Sequence, residues 1–380
     1  EIKGENGLMK NLKECLFGGD PNLIPQEGRI REYFIEKLNS DKINFIFGPP
    51  GTGKTTKLAR KILYTLYENH LNGVSSKILI LTPTNIAADT IIKKIISFIS
   101  DRSELKNYAQ EYKDFDDWDN FKDFIRNLKK KHDVVVRYGR SGSKYLNKYG
   151  VCKTSAQIKS IEQDLVLATT IHRLGFNKVA GYDLKSPGIG WNYILIDEAS
   201  MVSLPHILFA LFQFKNLSIP NNNIGLRSPF TISGDPFQIQ PVGKTPNPIE
   251  FGLKGIIGWA TENIYTLLKL NNFEQTETLI GGYKIDRLFT QFRSVPNIGQ
   301  LFSKYCYKGL LKHHQHKNVK NIQINDKDFD NINFISFPVF ETIEKKDELY
   351  TLVEYGKYQT YQFYSAVLAV ELSAVLSKNN

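Results

Sequence analysis

Cysteine is scarce: the 380 residues hold three, Cys15, Cys152 and Cys306, far apart and in no metal-ligand spacing. An odd, dispersed set of thiols excludes a disulfide framework. It points to a reducing intracellular compartment, with the three side chains acting as small buried hydrophobes. Long apolar runs are missing too, none approaching the ~18 residues that a membrane span needs, so an integral membrane protein is not expected. The opening stretch EIKGENGLMKNLKE has neither the basic start nor the apolar core of a secretory signal, and no initiator methionine, so a trimmed N-terminus is expected. Internal repeats and low-complexity tracts are absent. So is acidity between Val134 and Ser160, where six basic residues (Arg137, Arg140, Lys144, Lys148, Lys153, Lys159) and three tyrosines (Tyr138, Tyr145, Tyr149) occur without one carboxylate. Such a stretch suits a nucleic-acid backbone and its bases, or equally a solvated loop.

What is present fits a globular chain, with 41% hydrophobic and 23% charged residues. The length allows two domains, each able to bury a core. A net charge of +10 points to a polyanionic partner. Short β-rich apolar runs alternate with helical patterns. INFIF (43–47) precedes a helix with Ala59, Ile62, Leu63 and Leu66 on one face, and KILILT (77–82) precedes one with Ile92, Ile95, Ile96 and Ile99. LVLAT, YILIDE and FTISGD are further strand candidates, each ending in a small or acidic residue. Buried strands alternating with helices imply a parallel sheet with its functional groups at the carboxyl ends. Residues 101–164 interrupt that rhythm, beginning as a mixed-charge, solvated helical insertion. After Arg293 a second α/β rhythm begins, with a helix near Ile298–Tyr305, a strand at 332–337 and a final helix bearing Tyr364, Leu368, Leu372 and Val375.

The chemistry centres on GPPGTGKTT, comprising Gly48, Pro49, Pro50, Gly51, Thr52, Gly53, Lys54, Thr55 and Thr56, between an expected strand and an expected helix. Glycines let backbone N–H groups approach phosphate, the helix start favours the anion, Lys54 reaches the β and γ phosphates, and Thr55 holds Mg²⁺. YILIDEAS supplies Asp197 to organise Mg²⁺ through its water shell, and Glu198 to orient and deprotonate the attacking water. In TISGDPFQIQPV, Gln238 is an uncharged donor suited to sensing the γ-phosphate and Asp235 ties its turn to the carboxylate strand. Viewed alone, that segment is also an ordinary aspartate-capped turn. KHHQH (312–316) has no carboxylate or cysteine at ligand spacing and reads as a solvated basic loop.

In order, over roughly Asn22 to Leu311, these segments resemble the superfamily 1 helicases of the 5′-to-3′ branch. The likeness is greatest to the group containing the nonsense-mediated-decay RNA helicase, and DEASMVSLP also resembles the RecD type. The resemblance implies a P-loop NTPase, α/β in class, with helices on both faces of a RecA-like parallel sheet. It implies a first domain over 1–285 with the insertion at about 101–164, and the incomplete beginning of a second RecA-like domain over 286–380. By the same resemblance, Gln26 in NLIPQ reads adenine. Thr82, Pro83, Thr84 and Asn85 in LTPTNIAADTII, with Thr169 and Thr170 in VLATTIH, face the nucleic-acid strand. QFRS makes Phe292 an adenine stacker and Arg293 a finger on the γ-phosphate, where charge accumulating on the transferred oxygens needs a guanidinium. The 25 residues before Gln26 leave no room for the small β-barrel that some relatives carry. The family's later motifs, one with a second arginine finger, have no counterpart after Ser294, so a fragment of a longer protein is expected, and fused effector domains are compatible with that. The implied activity is ATP- and Mg²⁺-dependent movement along single-stranded DNA or RNA. An ATP-driven switch without translocation is the rival, and a small-molecule kinase leaves Gln238 and Arg293 unexplained.

Overall fold

The computed structural model describes residues 38, 40–101, 117–130, 134–148, 152–153, 164–175, 190–221, 225–241, 262–270, 279–280 and 282–314, and the short stretches 322–324, 327–329, 353–356 and 359–362. The chain divides into two compact units, Glu1–Phe292 and Arg293–Asn380. Nine strands of the first unit form one sheet: β1 (Ile43–Phe47), β2 (Lys77–Thr82), β3 (Val135–Tyr138), β4 (Cys152–Lys153), β5 (Leu165–Thr170), β6 (Tyr193–Ile196), β7 (Phe230–Gly234), β8 (Leu279–Ile280) and β9 (Tyr283–Arg287). Their spatial order is β4-β3-β5-β2-β6-β7-β1-β9-β8. Every pairing is parallel except the terminal β8–β9 hairpin.

The central strands are apolar at successive positions because both faces of the sheet are covered. Alternate side chains enter different cores. Phe45, Phe47, Leu79, Leu81, Ile194 and Ile196 belong to one, while Ile46, Ile78, Ile80, Tyr193 and Leu195 belong to the other. On the second face lie α1 (Lys54–Leu71), α2 (Asn85–Ser100) and α3 (Trp118–Lys130), and α4 (Leu204–Gln213) lies on the first. The expected RecA-like α/β arrangement of a P-loop NTPase is therefore present. Thr84 starts α2 by accepting the Ala87 N–H on its hydroxyl at 3.1 Å.

One expectation changes here. Helix α3 is not simply solvated, since Phe121, Phe124, Ile125 and Leu128 are buried against α1 and α2 residues in the second core. Their i, i+3, i+4, i+7 spacing carried that signal inside a highly charged segment. Strand β9 pairs with β1 as far as Arg287, within the first compact unit.

The second unit begins with α5 (Pro296–Cys306) and includes two antiparallel pairs, Ile322–Ile324 with Lys327–Phe329 and Val353–Gly356 with Gln359–Gln362. Cys306 is an exposed free thiol rather than a buried hydrophobe. Gln26, the strand at 332–337 and the final helix lie outside the described residues. Among the described residues no helix is long and apolar enough to cross a membrane.

Candidate functional site

Parallel pairing brings the carboxyl ends of the strands to one edge of the sheet, and most of the candidate residues lie at or just after those ends. Gly48 leaves β1, Pro83 leaves β2, Asp197 leaves β6 and Asp235 leaves β7, while Thr169 and Thr170 end β5. The loop after β1 is held by its own backbone. Thr52 donates to the Pro49 carbonyl through both its amide (3.2 Å) and its hydroxyl (2.8 Å), and Gly48 N–H reaches across to Gly234 O at 3.2 Å. A Cβ on Gly48 would lie 2.5 Å from Lys54 Cγ and 2.6 Å from Thr52 Oγ1, so only glycine fits. Gly53, at φ 81°, turns the chain into α1. Lys54 is buried, with Nζ donating to Gly48 O at 2.5 Å, and so lies inside the loop it opens on to.

Asp197 is 2% exposed and accepts the Glu198 N–H at 3.0 Å. Burial first, and the Glu198 carboxylate second, push its carboxyl above the ordinary aspartate range, while Lys54 pulls it down. Glu198 has φ 52° and ψ 42°, a left-handed conformation that costs a non-glycine residue on the order of 1 kcal/mol. Its Oε2 is buried with no hydrogen-bond partner among the described residues. The same holds for the hydroxyl of Tyr265, a residue that no motif singled out. That ring packs edge-on against Phe47 at 5.1 Å. A Cβ on Gly234 would lie 2.6 Å from the Tyr265 hydroxyl. Burial, then Glu198, Asp197 and Asp235, hold this phenol well above its usual range. A strained acid with an unsatisfied oxygen, next to a buried aspartate and a lysine, is the environment expected where a hydrated cation and a polyanion bind. Thr55 and Asp197 are hard oxygen donors of the kind Mg²⁺ prefers.

The loop after β7 closes on Asp235, which is fully buried and whose carboxylate accepts the Phe237 N–H at 3.1 Å. Its carbonyl accepts the Gln238 N–H at 3.1 Å, leaving the Gln238 side chain half-buried. The segment carrying QFRS also reaches the loop: Leu288 N–H donates to Phe47 O at 2.8 Å and Phe292 N–H to Gly51 O at 2.9 Å. Phe292 thus stands beside the glycine-rich loop with its ring 48% exposed. Arg293 is exposed and opens the second unit.

The strand-facing set divides by burial. Thr84 and Asn85 are exposed and Pro83 is half-buried, but Thr82 and Thr169 are fully buried. The Thr82 hydroxyl is spent on Thr84 O at 2.8 Å and approaches Thr169 O at 3.4 Å. The Thr82 side chain is thus used within the turn, the buried Thr169 hydroxyl has no hydrogen-bond partner among the described residues, and Thr170, 9% exposed, lies at the margin. Arg137, counted with the basic run, is likewise interior at 0% exposure, bonded to Asp89 at 2.7 Å. Arg140 and Lys144 remain on the surface.

Beyond Thr170, His172 Nδ1 meets His206 Nε2 at 3.1 Å, and His206 Nδ1 meets Ser203 Oγ at 2.7 Å. Burial and then His172 lower the His206 imidazole to about 4. The unfolded state takes up the proton near the usual 6.5 and the folded state only near 4, so stability is lost as pH falls through that window. Between pH 7 and 4.5 the loss is about 2 kcal/mol. Urea titrations over that range are expected to show it, and His206→Gln is expected to flatten the dependence.

A family model described as an AAA domain matches residues 29–116. The chain is 24% identical over 272 residues to "Probable RNA helicase armi" of Drosophila melanogaster, covering 69% of this chain and 20% of that protein. It is 25% identical over 325 residues to the "Regulator of nonsense transcripts 1 homolog" of the same fly, covering 81% and 24%. Against "ATP-dependent helicase upf1" of Schizosaccharomyces pombe it is 22% identical over 315 residues, covering 77% and 28%. The chain thus spans less than a third of the length of each of these proteins. Together with the order of loops along the sheet edge, these comparisons make the chain similar to proteins described as a probable RNA helicase, as a regulator of nonsense transcripts and as an ATP-dependent helicase.

Proposed function

We propose that this chain belongs to the motor of an ATP-dependent helicase or translocase that hydrolyses ATP with Mg²⁺ and moves along single-stranded DNA or RNA. One observation carries the reading. In sequence the candidate nucleotide and strand segments are interleaved, yet the sheet order sorts them. Loops after β6, β7, β1 and β9 gather around the glycine-rich loop, and those after β3, β5 and β2 occupy the other half of the same edge. A single sheet then carries both a phosphate site and a strand site along one edge.

In this reading Gly48 to Thr56 cradle the phosphates and Lys54 neutralises the β and γ groups. Thr55 and Asp197 would hold Mg²⁺, which when bound draws charge off the phosphate oxygens. Glu198 orients water and takes its proton, Gln238 senses the γ-phosphate, Phe292 stacks on adenine, and Arg293 supplies a guanidinium to the transferred group. Gln26 reads the base by resemblance alone. Pro83, Thr84, Asn85 and Thr170 contact the strand, with Arg140 and Lys144 adding positive charge nearby, while Thr82 holds the turn from within.

The test is ATP turnover of the full-length parent protein with and without oligothymidylate or oligouridylate. Stimulation by one polymer, weakening with added salt, is the expected result. No stimulation by either, with Lys54→Ala still abolishing basal turnover, would make the protein an ATP-driven switch instead.

A further inference from the structure

We propose that Arg137 is a positioning residue that locks the side-chain amide of Asn85 with its nitrogen turned outward, so that Asn85 donates to a phosphate of the bound strand. The inference rests on the helicase reading and adds a residue and an orientation to it.

The guanidinium of Arg137 has five N–H donors and meets five acceptors. Nε donates to Asp89 Oδ1 at 2.7 Å, Nη1 to the carbonyls of Tyr138 and, at 3.4 Å, Ala168, and Nη2 to Asn85 Oδ1 at 2.7 Å and Arg140 O at 3.1 Å. Nothing remains to bind a ligand directly. The other oxygen of Asp89 accepts from Ser141 Oγ at 2.6 Å, so the charge pair is also closed on its acid side. Together these bonds join the end of β3, the end of β5 and the first turn of α2.

The consequence for Asn85 is chemical. Arginine donates and never accepts, so the atom of the Asn85 amide facing it must be the oxygen. The NH₂ group must then point the other way, and Asn85 is exposed at the turn that follows β2. A fixed amide donor at such a turn matches a phosphate oxygen, which accepts and does not donate. Lysine in place of Arg137 cannot serve both Asp89 and Asn85, because its ammonium is a compact point charge without the planar fork.

The experiment measures binding of fluorescent oligothymidylate and oligouridylate to the wild-type protein and to variants, without nucleotide. Asn85→Asp keeps an acceptor opposite Arg137 and replaces the outward donor by a carboxylate oxygen. Its thermal midpoint is expected to hold, while affinity falls about tenfold. Arg137→Lys is expected to weaken binding in the wild-type background and to have no further effect on Asn85→Ala. Where Arg137→Lys does not fold, the side-chain amide resonance of Asn85, assigned by its loss in Asn85→Asp, is followed in the wild-type protein. A shift on adding oligonucleotide is expected. Unchanged affinity in Asn85→Asp, additive effects of Arg137→Lys and Asn85→Ala, or an unmoved amide resonance would each overturn the proposal while leaving the helicase reading intact. A wild-type protein that binds neither polymer would overturn both.

Discussion

Glu198→Gln is expected to lower ATP turnover by about 10²- to 10⁴-fold while nucleotide affinity stays close to that of the wild type. The amide keeps the shape of the carboxylate and its backbone but cannot accept a proton from water. Glu198 is held where such a role requires, one residue beyond the buried Asp197, in a left-handed conformation, with Oε2 buried and unpartnered among the described residues. A residue kept in a strained conformation with an unsatisfied charge-bearing oxygen is poor economy for folding alone. Glu198→Gly gives a second handle. It removes the same carboxylate and relaxes the backbone, so it should be as inactive as the glutamine variant and more stable by on the order of 1 kcal/mol. Phosphate release gives turnover, a fluorescent nucleotide gives affinity, and denaturant titration gives stability. Wild-type turnover in Glu198→Gln would remove Glu198 from the base role.

Legibility in the sequence followed the range of the interactions involved. The five strand runs, the helices behind Ala59 to Leu66 and Ile92 to Ile99, and the glycine-rich loop could be read because each is local: a period, a turn, a cap. The sheet order could not, since nothing within a strand says that β7 lies between β6 and β1. Arg137 shows the same limit for a single side chain. Composition grouped it with exposed cations, but its partner Asp89 lies 48 residues earlier and meets it only once β3 and α2 are packed. Thr82 and Thr169 lie at the carboxyl ends of β2 and β5, where the register sets Thr82 beside Thr170 and Thr169 beside Leu81, and that pairing, not the strand sequences, buries them. Tyr265 was invisible because it lies in a four-residue helix between segments that carry no motif. Its relation to Glu198 and Asp235 exists only in three dimensions.

Lys54→Ala is expected to lower turnover by at least ~10²- to 10³-fold and to weaken ATP binding as well, which separates it from the Glu198 variants. Among the described residues the ammonium is the one positive charge acting on Asp197, and it lies buried within the glycine-rich loop. Its removal leaves the acids uncompensated, so phosphate approaches a site of net negative character, and the Asp197 carboxyl is driven further upward. Affinity must then fall together with the chemical step. Lys54→Arg should rescue little despite keeping the charge. The compact ammonium is buried 2.5 Å from Gly48 O within the loop, a place that a longer, planar guanidinium does not match. Folding should change little, because the side chain contributes one hydrogen bond, to Gly48 O, and its removal also relieves a buried charge, a net change of about 1 kcal/mol. A thermal midpoint near that of the wild type, with both affinity and turnover lost, is the expected signature. Retained turnover in Lys54→Ala would mean that ATP is not hydrolysed at this loop, and the roles given to Asp197, Glu198 and Gln238 would fall with it.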